Sequence, residues 1–226
     1  MKRSLDELYR ILEYPFHDEE LLRQALTHRS VRSGNNNERL EFLGDSILNF
    51  VIAAKVYEQY AAAPEGDLSR IRASLVNKDT LAELGHKLQL GDFLELGAGE
   101  LKSGGYRRQS ILADAMEAIF GAVYLDSNIT RCIEFILKHY AELLADPVDV
   151  KNLKDPKTEL QEYLQSHKRS LPVYELLEAT GKPHTQTFKV QCIIDGMAET
   201  TVGIEKSRRK AEQEAAKAML ALLGQA

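Results

Sequence analysis

The run Asn37-Glu38-Arg39-Leu40-Glu41-Phe42-Leu43-Gly44-Asp45 constrains this chain more than any other. It opens a long helical pattern with carboxylates at i, i+3 and i+7, within roughly 60° of one another around a helix of ~3.6 residues per turn. Leu40, Leu43, Ile47, Phe50 and Ala54 fall on the opposite side. The expectation is a helix with one face for a core and another that gathers negative charge. Like charges at such spacing weaken a helix, so something positive should offset the repulsion. A hard divalent cation with oxygen ligands fits that need; a solvated acidic face is the plainer alternative.

Two features favour the cation. Phe42 sits beside the carboxylates, away from the core stripe, with Leu48 and Ile52 on its side. A second acidic pair, Asp114 and Glu117, lies at i,i+3 in Ser110-Ile111-Leu112-Ala113-Asp114-Ala115-Met116-Glu117, and its helix face also carries Ala118 and Gly121. Small residues there let another helix backbone approach closely. If the partner carries Glu38, Glu41 and Asp45, the two sets converge into a pocket of oxygens. Glu65, in a Pro64-Glu65-Gly66-Asp67 loop, is a further acidic candidate.

The chain divides in two. Up to residue 145 it reads as helix after helix, an all-α domain. Ser4 with Glu7 forms a capping-box pattern. Asp18 precedes another apolar repeat. The acidic helix should reach about residue 62, and Asp67 can cap the next one, through residue 76. Further helices are expected at 80–88, 110–125 and 129–144, with a glycine-rich loop over 96–105. Residues 146–154 read as a linker. From 155 to 226 the pattern becomes helix (156–167), three strands (173–179, 187–194, 198–203) and helix (207–223), a compact α+β unit of α-β-β-β-α order. Phe188, Val190, Cys192 and Ile194 alternate as in a one-sided strand, and Asp195-Gly196 marks a hairpin turn.

Charge follows the same division. The chain carries −5 in all, but residues 154–226 hold 11 Lys+Arg against 10 Asp+Glu, a net of +1, and residues 1–153 hold 18 against 24, a net of −6. In the C-terminal part Lys206-Ser207-Arg208-Arg209-Lys210 opens a helix, the end where cations oppose the dipole and anions are welcome. Arg107 and Arg108, beside Gly104 and Gly105, offer planar forks suited to phosphate. No apolar run approaches the ~18 residues of a membrane helix, and the N-terminus lacks the apolar core of a signal peptide. Cys132 and Cys192 are far apart without metal-type spacing, so a reducing, cytoplasmic setting is expected, without a disulfide.

The run 37–45 resembles the signature of bacterial ribonuclease III, as do Thr27-His28-Arg29-Ser30, Gly99-Glu100-Leu101-Lys102-Ser103-Gly104-Gly105 and residues 110–117. Residues 155–162, 181–184 and 207–212 resemble a double-stranded-RNA-binding domain. The resemblance implies a Mg²⁺-dependent endoribonuclease (Mn²⁺ substituting) that cuts double-stranded RNA to 5′-phosphate and 3′-hydroxyl ends. It further implies processing of ribosomal RNA precursors and other structured transcripts, and no small-molecule cofactor. It assigns Glu41, Asp45, Asp114 and Glu117 to the metal, with Glu38 and Glu65 supporting. Thr158, Gln161 and Glu162 would face one minor groove of the RNA, His184 the next, and Ser207, Arg208, Arg209 and Lys210 the phosphates between. Where the family often has a second glycine, this chain has Glu205. The alternatives are an RNA-binding regulator that does not cut and, more distantly, a small-molecule metal hydrolase. Because a duplex has two strands and this chain one acidic cluster, a twofold homodimer is expected, with Phe42 in its interface.

Overall fold

The computed structural model describes residues 3–32, 34–146, 155–181 and 186–224. They fall into two compact units, Met1–Val150 and Lys151–Ala226. The first contains α1 (Leu5–Leu12), α2 (Glu19–Leu26), α3 (Glu38–Gln59), α4 (Glu65–Leu75), α5 (Lys78–Lys87), α6 (Ala98–Lys102), α7 (Gln109–Asp126), α8 (Ile129–His139) and α9 (Ala141–Ala145). Among its described residues the regular structure is all helical, save for one isolated parallel bridge, Thr27 to Glu95.

Side-chain caps set several of the starts. Asp18 accepts from Glu20 N at α2, Asn77 from Thr80 N at α5 and Asn128 from Arg131 N at α8. Others differ from expectation. Ser4 makes no side-chain cap bond, and Glu7 pairs instead with Arg3 at 2.6 Å. Pro64 is the N-cap of α4, which moves Asp67 into the first turn, where it pairs with Arg70. The glycine-rich stretch folds into α6 and a 3₁₀ turn, Gly105–Arg107, because Gly104 takes φ +76° and Glu100 reaches across to Arg108 at 2.9 Å.

The second unit contains α10 (Pro156–Ser166), β1 (Val173–Thr180), β2 (Thr187–Ile193), β3 (Thr201–Glu205) and α11 (Arg208–Leu222), with an antiparallel sheet in the order β1-β2-β3. Val190, Cys192 and Ile194 are buried, and so are Leu160, Leu164, Ala215, Ala216 and Met219 of the two helices. The alanines of α11 have a cause. A Cβ on Gly203 would meet Ala211 O at 2.0 Å, so β3 and α11 nearly touch by backbone. The third strand starts three residues later than expected. Asp195-Gly196 closes a turn through Met197 N to Ile194 O, with Gly196 at φ +75°, and the chain rejoins the sheet only where Thr201 pairs with Cys192.

In the first unit, α7 is buried on every side from Ile111 to Val123 except at Asp114, as befits a central helix apolar all round. It crosses α3 at a pair of glycines. A Cβ on Gly44 would lie 1.8 Å from Glu117 O, and one on Gly121 would lie 2.3 Å from Leu40 O. This crossing corrects the expected core face. The buried residues of α3 are Leu40, Gly44, Ile47, Leu48, Val51, Ile52 and Val56. The buried face is thus rotated by roughly a quarter turn toward Gly44. Leu48 and Ile52 belong to the chain's own core, while Phe50 and Ala54 are exposed. The carboxylates border the core face instead of opposing it. Gly44→Ala should therefore force the two helices apart and lower stability by about 3 kcal/mol or more, the upper end of overpacking costs. Urea unfolding of the two proteins checks this; a change within ~0.5 kcal/mol would refute the tight crossing.

Candidate metal centre and nucleic-acid interface

The α3–α7 crossing places Glu41, the residue after Leu40, on one side and Asp114 and Glu117 on the other. Carboxylate oxygens of Glu41, Asp114 and Glu117 lie within 4.8 Å of one another. They line a cleft of about 630 Å³ that also takes in Asp45, Glu38 and Phe42. Glu117 is only 9 % exposed. Burial, and then the negative charges of Asp45, Glu41 and Asp114, push its carboxyl up to about 8. Glu41 is raised as well, first by burial and then by Asp114. Asp45 and Glu38 stand at the rim on partners of their own. Asn49 Nδ2 donates to Asp45 Oδ1 at 2.8 Å, Asn36 Nδ2 to Glu38 Oε2 at 2.9 Å, and Arg29 lies 3.5 Å from Glu38.

Glu65 is not brought to this cleft. It is the exposed first residue of α4 and accepts from Ser69 Oγ at 2.8 Å. The lining also includes residues outside the expected site set, among them Lys78, Asn37 and His28. Lys78, at the start of α5, reaches Asp114 Oδ1 at 3.3 Å. Asn37 is buried, its N–H bonded to Thr27 O at 2.9 Å, and its Nδ2 has no hydrogen-bond partner among the described residues. His28 accepts at Nδ1 from Ser30 N, with Ser30 Oγ 2.8 Å from the same nitrogen, and burial lowers its pKa. The Thr27–Ser30 segment is itself pinned by backbone bonds to Glu95 and by Gly97 N donating to Ser30 Oγ at 2.9 Å. In the sequence this segment was marked only by its resemblance to the ribonuclease III signature, without a role for His28.

Arg107 and Arg108 are exposed and do not line the cleft. Arg107 stacks over Tyr106 at 5.1 Å, and Arg108 is held by Glu100. In the second unit Ser207 caps α11 by accepting from Lys210 N at 3.2 Å, which leaves Arg208, Arg209 and Lys210 exposed on the first turn. Arg208 is tied to Glu212 at 3.0 Å. Arg209, Thr158 and Gln161 line one hollow of about 610 Å³ between α10, α11 and the start of β1. Glu162 is exposed on α10 nearby in sequence. Glu205 turns its carboxylate back to accept from Lys206 N at 3.0 Å. His184 lies outside the described residues.

Residues 18–144 match the family described as Ribonuclease-III-like, and residues 156–223 match the double-stranded RNA binding motif. The chain belongs to the ribonuclease III family. A protein named Ribonuclease 3 from Pseudoalteromonas translucida is 56 % identical over 223 residues, 99 % of this chain and 98 % of that one. Another from Shewanella pealeana is 53 % identical over 221 residues, 98 % of this chain and 97 % of its own length. Among solved structures, the nuclease domain of ribonuclease III from Campylobacter jejuni is 38 % identical with a TM-score of 0.62, covering 65 % of this chain and 99 % of that one. A second structure of that domain, described for flexibility in the region involved in dimer formation, gives 40 % identity and a TM-score of 0.60, over 62 % of this chain and 97 % of that one.

The cleft of this ribonuclease III family member suits a divalent ion on its own terms. Its donors are hard oxygens, they repel one another without a cation, and the orphaned Asn37 amide supplies a donor for a water or phosphate oxygen. The raised Glu117 pKa gives a signed consequence. Between its ordinary value of 4.5 and about 8 the folded chain holds a proton that the unfolded chain has lost. Metal-free stability therefore falls as pH rises through that window. Thermal melts in chelator from pH ~5 to ~8.5 should show the midpoint falling in the wild type and falling less in Glu117→Gln. Parallel curves for the two proteins would contradict the assigned shift.

Proposed function

We propose that this protein is an endoribonuclease that hydrolyses phosphodiester bonds of double-stranded RNA, leaving 5′-phosphate and 3′-hydroxyl ends. The observation that carries the reading is one chain joining a convergent carboxylate cleft to a double-stranded RNA binding motif. Glu41, Asp114 and Glu117, with Asp45 beside them, would hold Mg²⁺, or Mn²⁺ in its place. When bound, such an ion lowers the pKa of water and neutralises charge building on phosphate. The chain's own residues set the conditions. Glu117 must give up its proton for the trio to act as ligands, Asn37 offers a hydrogen-bond donor, and the pinned Thr27–Ser30 segment holds the start of α3 in place. Glu38 at the rim and Glu65 on α4 are assigned supporting roles that depend on bound RNA.

Residues 1–145 form the nuclease domain and 155–226 the RNA-binding domain in this reading. Thr158, Gln161, Glu162 and His184 would meet minor grooves, and Ser207, Arg208, Arg209 and Lys210 the phosphates between them. Arg107 and Arg108 would add phosphate contacts outside the cleft. Ribosomal RNA precursors and other structured transcripts are the proposed substrates, in the cytoplasm. Free, buried Cys132 and Cys192 agree with a reducing compartment, and no described helix is long and apolar enough to cross a membrane.

The working form is proposed to be a homodimer. Phe42, Phe50 and Tyr57 are 75 %, 61 % and 73 % exposed. Their spacing of eight and seven residues lines them up along one stripe of α3, beginning at the cleft. Burying each against a second copy would contribute about 1.5–3 kcal/mol, and twofold symmetry would present a cleft to each strand of a duplex.

Two experiments test these readings. Glu117→Gln keeps the shape of the side chain but removes its charge. Its cleavage of labelled duplex RNA in Mg²⁺ should fall by at least about 10³-fold (~4 kcal/mol of barrier) while duplex binding persists; cutting near the wild-type rate refutes the metal assignment. Sedimentation should find the wild type dimeric and Phe42→Glu shifted toward monomer. A monomeric wild type, or a folded and fully dimeric variant, refutes the interface.

A further inference from the structure

The helix α5 starts with a misplaced charge. Lys78 is its first residue, where the positive end of the helix dipole disfavours a cation, and Asn77 already caps the backbone by accepting from Thr80 N at 2.8 Å. The helix gains nothing from a lysine there. Its ammonium instead reaches across 36 residues of chain to Asp114 Oδ1 at 3.3 Å and lines the carboxylate cleft. Asp114, Glu117 and Glu41 all stabilise its charged form. The other cationic side chain lining the cleft, Arg29, is directed to Glu38 at the rim.

We propose that Lys78 is the resident counter-ion of the carboxylate cleft, a positioning residue that holds Asp114 while no divalent ion is bound and must release it when one enters. It thereby weakens the cleft's affinity for the metal and keeps like charges together in the metal-free protein. This rests on the metal reading above. A lysine fits the task because its single charge ends a flexible stem of four carbons, so it can leave Asp114 without disturbing α5. The Lys78 side chain is 67 % exposed and that of Asp114 21 %, so the pair is held loosely enough to exchange.

The test is calorimetric titration of Mn²⁺ into the full chain without RNA, for the wild type, Lys78→Gln, Lys78→Arg and Lys78→Glu. Removing both the competing ion pair and a repelling charge should tighten Mn²⁺ binding by about 3- to 10-fold in Lys78→Gln. Lys78→Glu should bind at least as tightly, and Lys78→Arg should stay near the wild type. Metal-free Lys78→Gln should also melt lower than the wild type, with the difference closing in saturating Mn²⁺. A purely structural lysine would give the lower melt with unchanged or weaker metal binding. Equal or weaker binding by Lys78→Gln and Lys78→Glu, with the wild type binding normally, overturns the role of Lys78 alone. A wild type that takes up no Mn²⁺ overturns the metal reading on which it depends.

Discussion

Everything at the cleft depends on two helix backbones touching. Glycines 44 and 121 bring α3 and α7 so close that a single methyl group on either would strike a carbonyl of the other helix. Carboxylates extend only a few Å from their Cα atoms, so pairs on two helices converge only when the axes are unusually near. The same contact passes through Glu117 itself, whose carbonyl faces Gly44 while its side chain enters the cleft. The position of that carboxyl is thus fixed at the crossing. The N-terminal end of α3 is fixed separately, by Asn37 N bonded to Thr27 O and the Thr27 segment bridged to Glu95. Rigid elements hold both ends of the acid cluster, as a site of small tolerance requires.

This arrangement sets electrostatics against folding. Packing concentrates like charge in a partly dry cleft, and the chain relieves it piecemeal. Glu117 keeps its proton, Lys78 faces Asp114, Arg29 faces Glu38, and Asn49 donates to Asp45. None of these devices satisfies the trio as a divalent ion would. Perturbed carboxyls in a cleft are the usual mark of a working site, and here their cause is visible: burial comes first, and neighbouring carboxylates second.

Much of this was legible in the sequence. The spacing of Glu38, Glu41 and Asp45, the pair Asp114/Glu117, and Ala118 and Gly121 on the same face named the two helices that meet and the reason they can. The change to alternating residues at Val190, Cys192 and Ile194 announced the second unit. What local pattern could not supply was the direction from which a distant helix arrives. The core face of α3 was placed opposite the acids because a lone helix is read that way. In the fold α7 packs beside them, which turns Leu48 and Ile52 inward and Phe50 outward. Lys78 was invisible for the same reason: its meaning lies in Asp114, on another helix. The start of β3 was misplaced because a two-residue turn signal does not reveal how many residues follow before pairing resumes.

The split of charge between the two units bears on how such a molecule meets a polyanion. Five carboxyls line or rim the cleft against the cations Lys78 and Arg29, so without a metal the site repels phosphate. The C-terminal unit carries three of its exposed cations, Arg208, Arg209 and Lys210, at the first turn of α11, where helix geometry favours anions. In the proposed reading, attraction would be supplied by one unit and chemistry by the other. A divalent ion in the cleft would change its sign toward neutral or positive, which would lower the cost of bringing a phosphate in. The phosphate in turn supplies oxygens and negative charge that favour the ion. Linkage makes the two effects equal: whatever factor the ion adds to RNA affinity at the cleft, RNA adds to the affinity for the ion. On the proposed metal reading, this arrangement of charges would make the cleft bind its metal weakly when alone and more firmly with substrate present, without any change in fold.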